Sequence, residues 1–275
     1  MSAIALAGEA PGFAHDEREH MGIPPGWTPA APTVFVIPAF NEEDNLPRLF
    51  SDLEARPHLF PHGSRVIVVD DGSADGTPAL VEAYTGPLPV QLVRLEQNQG
   101  PGAAFRAGFA AALDHAEDEA FIVTLEADTT GDIDSLPAML ERAAAGAELV
   151  LAKWQMVNVS FKRRLLSAGA GFVVRHALGL QAHTVSSFYR VYRAGSLRSA
   201  VEKYGDDLIR EPGFACKAEI LAKLIHLGAR VEEVPVDLDC GKRVGKSKMP
   251  ILRTFAAYWR MMARQRRVTA PETLA

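Results

Sequence analysis

The sequence predicts an α/β protein with a mostly parallel central sheet flanked by helices, and three observations carry that prediction. Short, nearly continuous apolar runs recur along the chain, as strands covered on both faces require. Each of the first four is followed by a segment with apolar residues at helical spacing. A polar cluster falls at the end of each of those runs, and in open α/β sheets ligands bind beyond the carboxyl ends of the strands. The third observation therefore points to a site as well as to a fold.

Residues 1–32 are rich in Ala, Gly, Pro and charge without periodicity and read as an N-terminal extension. Order begins with TVFVI, Thr33 to Ile37, and continues into NLPRLFSDLEA, where Leu46, Leu49, Phe50 and Leu53 share a helix face. RVIVV is a second strand, and GTPALVEAY is a helix opened by Thr77 and Pro78. VQLVRL is the third strand and GAAFRAGFAAALDHA its helix; FIVTL is the fourth, followed by DSLPAMLERAAAG with Gly146 at its end. Strict alternation of this kind implies parallel strands joined by right-handed crossovers.

The pattern changes after ELVLAKW, Glu148 to Trp154. FKRRLLSAGAGFVVRHALGL reads as a helix and SSFYRVYR as a strand. GFACKAEILAKLIHLG is a strong helix with Ala218, Leu221, Ala222 and Ile225 on one face and Gly228 as its stop, and ARVEEVPV closes the sheet. With no internal repeat or low-complexity linker, residues 33–249 read as one domain and residues 250–275 as a basic amphipathic C-terminal helix.

The 275 residues are 48% hydrophobic and 23% charged, the profile of an ordinary globular chain. A formal net charge of -5 argues against nucleic-acid binding through global charge, which needs clustered cations to neutralise phosphates. From Gly241 to Val268, by contrast, there are many basic residues and no acidic one. MPILRTFAAYWRMMARQRR intersperses Ile251, Leu252, Phe255, Tyr258, Trp259 and Met262 with arginine. That suits an interfacial helix on anionic headgroups, a helix packed on the domain, or a dimer contact. Cys216 and Cys240 have no CxxC spacing, no signal-like leader develops, and no run reaches the about 18 to 20 apolar residues needed to cross a bilayer. The expectation is a cytoplasmic protein with peripheral contact at the membrane's cytoplasmic face; oligomeric state is not readable.

The four strand-end clusters are PAFNEE, DDGSADGT, NQGPG and EADTT. TLEADTTGDID sets Glu126, Asp128, Asp132 and Asp134 within a few residues, and carboxylates so gathered form either a solvated loop or a cation site. DDGSADGT lacks the GxxxxGK[ST] phosphate loop and NQGPGAA is not GxGxxG, which removes the main support for kinase-type and dinucleotide chemistry. Asp70 and Asp71 can accept from base N–H groups and ribose hydroxyls, with Gly72 and Gly76 allowing close backbone approach.

The series VIPAFNEEDNL, VVDDGSADGT, NQGPGAAFRAGFAAA, LEADTTGD, EPGFACKAEILAKLIHLGARVEEVPV and RVGKSKM resembles the family-2 glycosyltransferases of GT-A fold. Within that family it looks most like the dolichol- or polyprenyl-phosphate mannosyltransferase branch. The resemblance spans about Thr33 to Met249 and implies an N-terminal nucleotide half and a C-terminal acceptor half. It also implies a nucleotide-diphosphate sugar donor, GDP-mannose or UDP-glucose, held by Pro38, Asn41, Glu42, Asp70, Asp71, Gly72, Gly100, Arg106 and Ala127. The DxD motif that holds Mg2+ or Mn2+ on the diphosphate is here Glu126-Ala127-Asp128, with Thr130 where many relatives carry Gln. Glu keeps the charge and oxygen donors, so metal binding through Asp128 is expected, with Glu126 contributing directly or through water. The metal would neutralise charge developing on the departing diphosphate.

In the lipid-phosphate branch an Arg and a Ser four residues later sit beside the acceptor phosphate. FKRRLLS supplies Arg163 and Ser167 at that spacing, which alone also suits a solvated basic helix face. Arg243, Ser247 and Lys248 of RVGKSKM match the loop that closes over the phosphates. The stretch HTVSSFYR departs from the DxTSGFR-like pattern, with His183 in place of the acid and Tyr189 where Arg is expected. A polyprenyl monophosphate has a second pKa of about 6, so it attacks already ionised and needs no base. Its in-line attack would invert the anomeric carbon. A hydroxyl acceptor would instead require Asp206, Asp207 or Glu211 to take its proton, and a catalytically silent nucleotide-sugar binder is a third reading.

Overall fold

The computed structural model describes residues 27–157, 184, 187–239, 256–258 and 260–261. Seven strands form one sheet: β1 Thr33–Ala39, β2 Arg65–Asp70, β3 Val90–Arg94, β4 Phe121–Thr124, β5 Leu149–Val157, β6 Arg190–Arg193 and β7 Val231–Asp239. Their order across the sheet is β3-β2-β1-β4-β6-β5-β7. The α-helices are α1 Leu46–Glu54, α2 Thr77–Glu82, α3 Pro101–Leu113, α4 Leu136–Ala144, α5 Ala194–Tyr204 and α6 Cys216–His226. The predicted α/β class therefore holds, with β6 alone running antiparallel to both its neighbours, β4 and β5.

The apolar runs are continuous because successive side chains of a strand point to opposite faces and both faces are covered. Val34 and Val36 of β1 and Ile67 and Val69 of β2 join one core with α3, α5 and α6. Phe35, Ile37, Val66 and Val68 face the other way into a second core with α1 and α4. Edge strand β3 has no fully buried residue, so the expectation of cover on both faces fails there.

Gly146 and Gly228 follow α4 and α6 with φ of 107° and 87°, as helix stops do. Two expectations are corrected. Among its described residues SSFYRVYR is a strand only from Arg190: Tyr189 still gives its carbonyl to Ala152 N at 3.0 Å, but its own N–H turns back to Ser187 Oγ instead of continuing the ladder. Helix α5 went unanticipated: it buries only Ala194, Leu197 and Ala200, too few apolar residues for a clear periodic signal. The helix expected from FKRRLLSAGAGFVVRHALGL lies outside the described residues.

Residues 256–258 are helical, and Ala257, Tyr258 and Met261 are buried in the core that contains α6. At these positions the apolar side of the C-terminal segment packs on the domain. No helix among the described residues is long and apolar enough to cross a membrane.

Candidate active site

Parallel pairing brings the acidic loops together. In register, Ala39 lies opposite Asp70 and Val36 opposite Thr124, so β1, β2 and β4 finish on one edge of the sheet. The residues after β2 and after β4 therefore flank the end of β1. Antiparallel β6 begins where β4 ends, Arg190 opposite Thr124, which delivers residues 187–189 to the same edge. The Thr124 hydroxyl donates to the Phe188 carbonyl across this junction.

The loops after β1 and β2 are laced to each other. Asn41 donates its N–H to Ser73 Oγ at 2.8 Å, and its own Oδ1 accepts from Ala74 N at 2.9 Å. Glu42 N donates to Thr77 Oγ1 at 2.8 Å, and Glu43 Oε2 accepts from Gly76 N at 2.6 Å. Glu42 Oε2 in turn accepts from Asn45 Nδ2 at 2.7 Å. Pro38 sits inside β1 opposite Val69, just before this knot, where its ring fixes the backbone φ.

Asp70 and Asp71 are both buried, and both carboxylates hold the protein's own chain. Asp70 Oδ1 accepts from Ser73 N at 3.0 Å, and Oδ2 lies 3.5 Å from Arg94 Nε. Asp71 accepts from Gln99 N through one oxygen and Gly100 N through the other, each at 2.8 Å. Burial pushes the Asp71 carboxyl above its usual range, and these two N–H groups offset only part of that rise. The reason Gly72 is glycine differs from the sequence reading. With φ 68°, a Cβ there would lie 2.4 Å from the Gln97 carbonyl carbon, so the close approach is to the chain's own loop.

The start of α3 is fixed from the other side. Gly102 N donates to the Pro212 carbonyl at 2.8 Å, and a Cβ on Gly100, at φ 89°, would stand 2.5 Å from the same oxygen. Arg106, half-buried in the second turn of α3, donates from Nη1 to the Ile209 carbonyl. Glu219 secures this segment further, accepting from Arg210 N and Glu211 N at 2.8 Å each.

After β4 the chain turns sharply: Thr129 has φ 57°, and its buried Oγ1 has no hydrogen-bond partner among the described residues. Asp128 is buried, Ala127 packs into the core, and Glu126 is half-buried. One hydroxyl bridges the acid pair: Thr130 Oγ1 donates to Asp128 Oδ1 at 2.7 Å and reaches Glu126 Oε2 at 3.3 Å. Glu126 also lines a small cavity with Trp154 and Tyr189. No group of three or more metal-ligating His, Cys, Asp or Glu occurs among the described residues. Two hard oxygen donors brought this close fit a divalent ion whose remaining ligands are diphosphate oxygens and water, which is how Mg2+ is commonly held. Asp132 and Asp134 do other work: Asp132 accepts from Ser135 Oγ, and Asp134 pairs with Arg56 at 2.7 Å.

Two residues escaped the sequence reading. Arg190, one position after the tyrosine found where arginine was expected, is buried and donates to the Ser187 and Lys217 carbonyls at 2.8 Å each. Lys217, in the first turn of α6, is also buried, with Nζ 3.9 Å from the centre of the Phe188 ring. The available signal was a lysine at a helix N-terminus, where the helix dipole disfavours a cation. Of the three acids considered as bases, Asp206 and Asp207 are exposed, and Arg210 holds the Asp207 carboxyl below its usual range. Glu211 is buried, with Oε2 3.7 Å from Arg260 Nη2. Arg163, Ser167, His183, Arg243, Ser247 and Lys248 lie outside the described residues.

One edge of the mostly parallel sheet thus gathers a bridged acid pair and three interlocked loops, and comparison with known proteins gives the family. Residues 34–200 match Glycosyl transferase family 2, and the chain belongs to that family. It is a glycosyltransferase. The chain is similar to the polyprenol monophosphomannose synthase of Mycolicibacterium smegmatis, 30% identical over 228 residues that cover 80% of this chain and 82% of that one. It is similar also to the undecaprenyl-phosphate mannosyltransferase of Micrococcus luteus, 32% identical over 221 residues, 78% of this chain and 86% of that one. Among solved structures, glucosyl-3-phosphoglycerate synthase from Mycobacterium tuberculosis, crystallised with Mn2+ and UDP, superposes with a TM-score of 0.61 at 19% identity, over 89% of this chain and 82% of that one. S. aureus TarS 1-349 superposes with a TM-score of 0.53 at 20% identity, over 85% of this chain and 65% of that one. These structural likenesses establish the GT-A fold.

Proposed function

We propose that the chain is an inverting, divalent-metal-dependent hexosyltransferase that moves a sugar from a nucleotide-diphosphate donor to a polyprenyl phosphate. The observation that carries the reading is the acid pair Glu126 and Asp128, bridged by Thr130 on the edge where the loops after β1, β2 and β3 converge. The names of its relatives, polyprenol monophosphomannose synthase and undecaprenyl-phosphate mannosyltransferase, support the acceptor class.

In this reading Asn41, Glu42, Asp70 and Asp71 shape the nucleoside cradle, with Asp71 acting through the loop whose N–H groups it holds. Asp128, with Glu126, would bind Mg2+ or Mn2+, which when present neutralises the leaving diphosphate. Pro38, Gly72, Gly100, Arg106 and Ala127 serve as supports. They set the loop geometry from beneath and need no contact with the donor. Arg163, Ser167, Arg243, Ser247 and Lys248 are proposed as the acceptor-phosphate and loop-closure contacts. An ionised acceptor phosphate then attacks the anomeric carbon opposite the departing diphosphate, which inverts the configuration; no side chain need remove a proton. A lipid acceptor brings the chain to a membrane surface, where the basic residues between 241 and 268 would meet anionic headgroups.

The test is incubation with GDP-mannose or UDP-glucose and Mn2+, comparing undecaprenyl phosphate with hydroxyl acceptors. Lipid-phosphate product that disappears with EDTA is expected. Product on hydroxyl acceptors only would transfer the base role to Glu211. Donor binding without turnover on any acceptor would leave a nucleotide-sugar binder.

A further inference from the structure

A buried hydroxyl shares a cavity with one of the paired acids. Thr129 is only 5% exposed, and its Oγ1 has no hydrogen-bond partner among the described residues. It stands at φ 57°, where a β-branched residue is an outlier and Asn or Gly would sit with less strain. With Glu126, Gly131, Trp154 and Tyr189 it lines a small cavity that offers about 10 Å³ to the centre of a water-sized sphere. That is room for one water. The aromatic side is closely packed: a Cβ on Gly131 would lie 3.1 Å from the Tyr189 ring and 3.4 Å from that of Trp154. Tyr189 already donates its hydroxyl proton to the Asp132 carbonyl at 3.3 Å, and the other side chains that line the cavity among the described residues are apolar. A wholly apolar cavity stays dry, whereas a carboxylate and a hydroxyl facing one space supply the partners that a buried water needs.

We propose that Thr129 is a positioning residue of the acid pair: one water in this cavity accepts from Thr129 Oγ1 and donates to the Glu126 carboxylate, so that two successive hydroxyls hold Glu126, Thr130 directly and Thr129 through the water. The inference rests on the reading of Glu126 and Asp128 as the cation site and adds a residue to it. Thr130 Oγ1, at 3.3 Å, uses one of the about four acceptor positions of the Glu126 carboxylate, which leaves room for a second grip. A carboxylate held at two points keeps one orientation for a cation, and loss of a group that orients a metal ligand commonly weakens metal binding about ten- to a hundredfold. The bridge also relieves the cost of a buried hydroxyl left without a partner. Gly or Asn would ease the turn at Thr129, but neither carries the hydroxyl.

The experiment compares wild type, Thr129→Val and Thr129→Ser as full chains, by thermal melting in EDTA and by calorimetric titration of Mn2+, alone and with GDP or UDP present. Thr129→Val keeps the shape and the β-branch, hence the backbone strain, and removes only the hydroxyl. It should lower the melting temperature in EDTA by about 2–4 °C, the worth of one hydrogen bond in a chain of this size, and weaken Mn2+ binding about tenfold. Thr129→Ser keeps the hydroxyl and should bind Mn2+ as wild type does. A Thr129→Val protein as stable as wild type in EDTA, or more stable, overturns the inference, because a methyl is preferred there to a hydroxyl with no bridge. So does one that melts lower yet binds Mn2+ like wild type, which makes Thr129 a structural residue only, and so does Thr129→Ser impaired in Mn2+ binding as much as Thr129→Val. Where Thr129→Val does not fold, a crystal structure of the wild-type chain decides: a water within hydrogen-bond distance of both Thr129 Oγ1 and the Glu126 carboxylate sustains the inference, and any other content of the cavity ends it. Each of these outcomes leaves the acid pair as the cation site. Wild type that binds no Mn2+ under any of these conditions brings down that reading and this inference with it.

Discussion

Asp71, at the end of β2, holds Gly100, at the start of α3, by its backbone N–H at 2.8 Å, and the other oxygen of the same carboxylate holds Gln99 at the same distance. A buried acid used in this way sets the height of the loop after β3 above the sheet edge. The loop's position and the strand-end motif are one feature.

The neighbouring glycine provides the first test. Gly72→Ala places a methyl 2.4 Å from the Gln97 carbonyl carbon at a φ of 68°. Strain of this kind costs about 1–3 kcal/mol, so a denaturant melt should show a loss in that range, accompanied by weaker nucleotide binding as the loop shifts.

Thr130→Val keeps the shape of the side chain and removes the hydroxyl between Asp128 and Glu126. Without their shared donor the two carboxylates are no longer held in one orientation for a cation. The Mn2+ concentration for half-maximal activity should rise about three- to tenfold, by roughly 1 kcal/mol, with the melting temperature little changed. An unchanged metal requirement would show that the pair does not act together.

Arg106→Met leaves the Ile209 carbonyl without its guanidinium donor. Unsatisfied buried groups cost about 1–3 kcal/mol. Limited proteolysis should then cut within residues 205–213 faster than in wild type. If instead donor affinity collapses while proteolysis and stability stay level, Arg106 contacts the donor and does not merely support the loop.

Cys216 is buried, and burial pushes its thiol up to about 12 from an ordinary value of 9.0. As pH rises from 9 toward 12 the unfolded chain gives up this proton while the folded chain keeps it, so stability falls across that window. Below pH 9 the contribution is fully present. In a Cys240→Ser background, native protein should not react with a thiol reagent at pH 8 and should react fully once unfolded. Cys216→Ala should flatten the alkaline part of the stability profile.

Much of the fold was legible because apolar period and helix punctuation are local. TVFVI and RVIVV declared two-sided burial, and Gly146 and Gly228 marked helix ends at the positions observed. Helix α5 was not legible, since three buried residues in AGSLRSAVEKY make no strong stripe. Nor was the reversed direction of β6, because strand direction depends on where a connection returns and leaves no trace in the strand's own composition.

The sequence by itself determined the class of sheet, the strand-end placement of the acids and the family. Those follow from residue type and spacing along the chain. Only the tertiary structure decided that Gly72 clears a neighbouring loop, that Asp71 grips a backbone, and that Lys217 lies over the ring of Phe188, 29 positions earlier in the chain. These are relations between segments far apart in sequence. They exist because parallel strands stack their ends on one edge, where acids and loops must satisfy one another's hydrogen bonds away from water.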